Sequence, residues 1–169
     1  MPNQNSNIIA NKVAVPPVNN EVGVDGGRVR VVMDTFETIA AGATAADANG
    51  DAFVLARLPS NARIISFKVA SDDLDSGSTV SLNYGMYETD GTLIDETEFA
   101  DAVDHNGGAV ALTEILFENA DINTLTQTLA DRAGESNVNK YYDIAATQAA
   151  DSSGLQAATF SFIILYVVD

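Results

Sequence analysis

From Arg28 onward the apolar side chains recur with a period of two, and that period narrows the possible folds more than any other feature of the chain. Successive side chains of a β-strand point to opposite faces. Apolar residues at alternate positions therefore put one face on a core and leave the other in solvent, the antiparallel pattern. In residues 28–38, Val29, Val31 and Met33 share one face and Arg30 and Asp34 the other. Residues 53–58 form a short strand stopped by Pro59, Ser60 and Asn61. In residues 63–70, Ile65, Phe67 and Val69 oppose Ser66 and Lys68. Residues 79–88 alternate most cleanly, with Val80, Leu82, Tyr84 and Met86 inward and Ser81, Asn83 and Tyr87 outward. Asp90-Gly91 favours the positive-φ turn that suits strand twist, so residues 92–95 are expected to return as a partner strand.

The last strand, residues 157–168, is apolar on both sides. Phe160, Phe162, Ile164, Tyr166 and Val168 share one face, and Ile163, Leu165 and Val167 the other. Such a strand is central in its sheet, or its outer face meets a second subunit. The middle of the chain is less regular. Residues 96–103 read as a short helix or a loop and residues 104–108 as a turn. Ile122, Leu125 and Leu129 have helical spacing over residues 121–130, with Asp121 as a cap, and residues 141–147 read as a strand. No internal repeat is visible. Many short strands with little helix argue for an all-β sandwich or jelly roll.

A chain of 169 residues suits one domain and, at about this size, buries roughly 70% of its unfolded surface without staples. The absence of cysteine excludes disulfides and thiolate metal sites. Eight basic residues against 24 acidic ones give a net charge of −16. A field of that sign repels phosphate backbones and anionic lipid heads, so neither nucleic acid nor a membrane surface is an expected partner. The charge keeps free subunits soluble and apart, and is also compatible with docking on a basic partner. Residues 1–7 carry no lysine or arginine ahead of an apolar run, so no signal peptide is expected. The apolar stretch at residues 157–168 is shorter than the ~20 residues of a membrane span.

Residues 1–27 differ from the rest, being asparagine-rich, with Pro16-Pro17 and with Gly23, Gly26 and Gly27. Two readings stand side by side. One is an extended arm that becomes ordered against a neighbour, for which Ile8, Ile9, Val13, Val15 and Val18 are the docking side chains. The other is a disordered terminus. The remainder, residues 28–169, forms the sandwich domain.

Residues that carry chemistry are sparse. The one histidine, His105, lies in Asp104-His105-Asn106-Gly107-Gly108, a turn sequence in which a solvated ring is expected. A cupin-like metal site needs several histidines from facing strands. Asp47-Ala48-Asn49-Gly50-Asp51 resembles the start of a calcium loop, but its glycine comes two positions early and no glutamate closes it. Asp72, Asp73 and Asp75 lie in a second acidic turn, and aspartates commonly build turns through their own side chains. A glycosidase-type carboxylate pair would want aromatic walls, and the chain has no tryptophan and 7% aromatic residues. Gly23-Val24-Asp25-Gly26-Gly27 precedes a strand, whereas a phosphate loop follows one and opens a helix. No catalytic, cofactor or metal site is expected. Arg28, Arg30 and Arg63 are candidates for ion pairs within or between subunits; the alternative is solvated outward positions.

One stretch carries a resemblance. Leu58-Pro59-Ser60-Asn61-Ala62-Arg63-Ile64 opens a strand that runs on through Ile65-Ser66-Phe67-Lys68-Val69-Ala70. An acidic turn follows, Asp73-Leu74-Asp75-Ser76-Gly77, and then a strand ending in Gly85-Met86-Tyr87 ahead of Asp90-Gly91-Thr92. This succession resembles the capsid decoration, or cement, proteins of tailed bacteriophages. The likeness covers residues 28–169 in general character and the quoted stretch in detail. It implies a jelly-roll-like antiparallel β-sandwich with an extended N-terminal arm. It further implies a homotrimer on the outer surface of a capsid, with the major capsid protein as partner. Two other classes compete: a receptor- or glycan-binding β-sandwich of a fibre or tail, and an enzyme on a jelly roll.

Overall fold

The computed structural model describes residues 16, 28–41, 46–77, 80–105, 108–118, 122–136, 139–152 and 154–168. The expected arm, with Ile8, Ile9, Val13, Val15 and Val18, lies outside the described residues. So does Asp121.

Among the described residues eight strands form: β1 (Arg28–Glu37), β2 (Ala52–Pro59), β3 (Arg63–Ser71), β4 (Ser81–Glu88), β5 (Leu93–Asp104), β6 (Val110–Glu114), β7 (Tyr141–Gln148) and β8 (Thr159–Val168). They make two four-stranded sheets, β1-β8-β3-β6 and β2-β7-β4-β5. Every pairing is antiparallel, and the ladders β1·β8, β2·β7, β3·β6 and β4·β5 nest one inside the next. The all-β sandwich expected from the alternation is the fold that forms.

The core lies between the sheets. Tyr84, Tyr142, Phe67, Phe160 and Phe162 are its largest buried side chains. Phe67 of β3 meets Tyr84 of β4 edge to face, with ring centres 5.5 Å apart, a geometry that sets a positive ring edge on a negative face. Phe36 of β1 meets Phe53 of β2 at 6.0 Å. These contacts set β1 over β2 on one flank of the sandwich. On the other, Phe67 touches Phe99 of β5.

Four local expectations change. In β3 the buried residue is Ile64 rather than Ile65, because a register shift between Ile64 and Ser66 turns the alternation over at that point. Residues 96–103 are strand, not helix or loop. Along β5, four residues separate Asp95 from Ala100, whereas on β4 only Gly85 separates their partners Met86 and Tyr84. The surplus residues bulge, Phe99 and Ala100 are both buried, and the period of two is erased. Gly85 permits this: a Cβ there would collide with the carbonyl oxygen of Asp95 and the backbone of Glu96. Residues 121–130 do not make one helix. A 3-10 turn over Ile122–Thr126 is followed by a single α-helical turn, α1 (Leu129–Arg132). Thr128 restarts the helix, since its hydroxyl accepts from the Asp131 amide while the Asp131 side chain accepts from the Thr128 amide.

The fourth change is in β1. Its apolar row Val29, Val31 and Met33 points away from the core and is 62%, 52% and 68% exposed, while Val32 and Phe36 pack inward.

Candidate interaction surface

The outward row on β1 is the start of a larger surface. β1 is an edge strand that pairs, among the described residues, with β8 alone. In that ladder Val31 stands opposite Leu165 and Met33 opposite Ile163, and both β8 residues are half-buried. Cross-strand partners share a face, so the four side chains form one apolar patch on the outside of the sheet. A polar pair closes it at one end, where the Thr35 and Ser161 hydroxyls are 2.9 Å apart. β8 is therefore central in its sheet, one of the two readings its two-faced pattern allowed, and its outer face is apolar.

Arg28 and Arg30 lie on the same strand, exposed, with no ion-pair partner among the described residues. Arg63 behaves differently. It is 9% exposed, its Nε donates to the Thr126 carbonyl at 2.6 Å, and its charge helps hold the Asp131 carboxyl below its ordinary range, after the Thr128 hydrogen bonds. Arg63 thus ties the 3-10 turn to β3 inside the chain. Three more described bases are engaged. Arg57 makes a two-pronged contact with Asp143, Arg132 meets Glu98 at 2.5 Å, and Lys140 lies 2.7 Å from both Glu88 and Glu135. Lys68 stands opposite Glu114 in the ladder.

The opposite flank carries the negative charge. Residues 69–131 hold fourteen acidic residues and no lysine or arginine. That segment includes β5, with Asp95, Glu96, Glu98, Asp101 and Asp104, and β6.

His105 departs most from the sequence expectation. It is fully buried, not solvated, and its amide donates to the Val80 carbonyl. Nδ1 is 3.1 Å from the Ser71 hydroxyl and Nε2 is 2.8 Å from the Tyr84 hydroxyl. Serine, imidazole and a third polar group in a row are the parts of a nucleophile–base pair. Burial decides against that use. It lowers the imidazole pKa to about 4, a shift that the Asp104 charge only partly opposes, so the ring is a poor base near neutrality. Burial also pushes the Tyr84 hydroxyl well above its ordinary range, and it keeps its proton. The trio satisfies three buried polar groups and links β3 to β4 through the core.

The calcium-like loop is likewise occupied by its own backbone. Asp51 accepts from the Ala48 amide at 3.1 Å, and Asp151 accepts from the Asn49 amide at 2.7 Å. Among the described residues, no group of three or more histidine, cysteine or acidic side chains is placed to hold a metal. In the second acidic turn, Asp75 is buried and accepts from the amides of Gly77 and Val80.

No family model matches the sequence, and no curated protein matches it. The fold is similar to that of a chain in the cyanophage Pam1 capsid asymmetric unit, with a TM-score of 0.52 and 17% identity over 100% of both chains. It is also similar to a chain in the capsid of Ralstonia phage GP4, with a TM-score of 0.54 and 21% identity over 89% of this chain and 92% of that one. At these identities the likeness establishes a common fold.

Proposed function

We propose that the chain is a virion structural protein, a capsid decoration or cement protein that binds the major capsid protein on the outer surface of a phage head. The observation that carries this reading is the fold shared, over nearly the whole length, with chains of two phage capsids. The nested ladders support the finer assignment to a jelly roll, since pairing first strand with last, second with seventh and so inward is what a rolled-up long hairpin produces. A buried, weakly basic histidine and acidic loops filled by backbone amides support a binding role over a catalytic one.

The proposed working form is a homotrimer with residues 1–27 as capsid-docking arms, through Ile8, Ile9, Val13, Val15 and Val18. Three linked arms turn individually weak contacts into a strong attachment by effective concentration. A ligand that binds only the assembled shell stabilises it by mass action. The test is co-sedimentation of the purified protein with heads of the parent phage that lack it. Binding should saturate at a fixed ratio to the major capsid protein, raise the temperature at which heads release DNA, and fall at least tenfold when residues 1–27 are deleted. Heads that neither bind the protein nor gain heat resistance would rule this function out, and recognition of a glycan instead would move the protein to a fibre or tail.

A further inference from the structure

We infer that the β1 rim of one copy packs against the β5/β6 flank of the next, head to tail, with Arg28 and Arg30 facing the acidic strand β5. This rests on the homotrimer proposed above and names the surface that builds it.

Seven of the nine large exposed apolar side chains among the described residues fall into two groups on opposite flanks, the others being Ile39, just after β1, and Tyr141 on the central strand β7. Val29, Val31 and Met33 on β1 and Val54 on β2 occupy one. Leu93 on β5, Leu112 on β6 and Phe117 just beyond β6 occupy the other. β1 and β2 are edge strands of their sheets on the first flank, as β6 and β5 are on the second. Exposed apolar area on two separate sides suits a contact between unlike surfaces, because a two-fold contact would need only one self-complementary patch.

Charge selects which surfaces meet. The first flank offers Arg28 and Arg30 at one end of β1, unpaired among the described residues, with Asp34 and Glu37 towards the other end. The second presents Asp95, Glu96, Glu98, Asp101 and Asp104 on β5, of which Glu98 is paired with Arg132. Two acidic flanks repel each other, whereas the β1 rim and β5 attract, so the wrong pairing is penalised as the right one is favoured. A head-to-tail contact uses one head and one tail per copy, and it is complete for every copy only when the ring closes. The neighbour then meets the apolar row on the outer face of the edge strand and the arginines on its other face.

The occupant is therefore a second copy, and light scattering coupled to size exclusion tests it on the full chain. The wild type should have three times the 17.7 kDa chain mass. Arg28→Glu with Arg30→Glu should reduce it to one chain mass, as should Asp95→Arg with Glu96→Arg. All four substitutions together restore opposite charges across the same contact and should return the trimer, which a merely misfolded variant would not do. A reversal pair that stays trimeric, or a quadruple variant that stays monomeric, would overturn the interface while leaving the trimer standing. A monomeric wild type would also overturn it, meaning that the rim is covered by residues 1–27 or by the shell. The co-sedimentation assay above reads shell binding independently of all these outcomes.

Discussion

At His105 the cost of burial becomes a pH dependence. The folded ring has a pKa of about 4 against an ordinary 6.5, so the unfolded chain takes up the proton first. Above pH 6.5 both states are neutral and the residue adds no pH dependence. As pH falls from 6.5 to 4 the unfolded state gains a proton that the folded state does not, and stability declines, by roughly 3 kcal/mol in all. We expect the melting temperature to drop across that window and His105→Gln to flatten the drop; an equally steep drop in the variant would assign it to the carboxylates. Gly85 gives a second expectation. With β5 backbone against its Cα, Gly85→Ala should cost about 3 kcal/mol or more, read as a lowered denaturant midpoint. Neither residue announced its environment. Asp-His-Asn-Gly-Gly is turn chemistry, and nothing local says that its histidine is buried. A single glycine in a strand is compatible with a bulge, but the partner that crosses it comes from elsewhere in the chain.

The strands differ in how much of their placement was legible, and the reason is which forces act locally. β4 showed its inward row, Leu82, Tyr84 and Met86, because it pairs on both sides, whereas Asn83, expected in solvent, is buried and accepts from the Ala102 amide of the bulged β5. β8 was legible as a two-faced strand for the same reason. β1 was not. Its apolar row looks like a core face and is the exposed one, since the position of Phe36 against Phe53 and Phe160 sets which side turns inward. A one-residue shift exchanges the two faces of a strand, and only tertiary contact chooses between them. This misreading is informative, because a row that would suit a core has been left at the surface. Met33→Ser should then change folding stability by less than about 0.5 kcal/mol, as a surface substitution does. It should nevertheless weaken self-association about tenfold, a difference near 1.4 kcal/mol. Unfolding curves and sedimentation equilibrium on the same samples separate the two effects, and a variant that associates like the wild type would remove β1 from the interface.

For the whole molecule, the uneven distribution of charge matters more than its sum. A net −16 keeps dilute subunits apart, while Arg28 and Arg30 at one end of β1 are a local basic spot on an otherwise acidic molecule. The all-β architecture was legible from alternation and turn residues, whereas the decoration role is a proposal that the sequence supports through the resemblance of the run beginning at Leu58-Pro59. The candidate surface was not legible, because it depends on which strands lie at sheet edges and on the register between β1 and β8. Residues 1–27 remain the proposed tether to the shell, with the sandwich as the body they hold in place. The most direct measurement is a cryo-electron microscopy map of the parent phage head. The proposed role predicts density for this eight-stranded sandwich on the outer capsid surface, three copies around each occupied axis, with each N-terminus reaching down onto the major capsid protein. A head with a bare outer surface, and the sandwich found instead on the tail or nowhere in the particle, would contradict it.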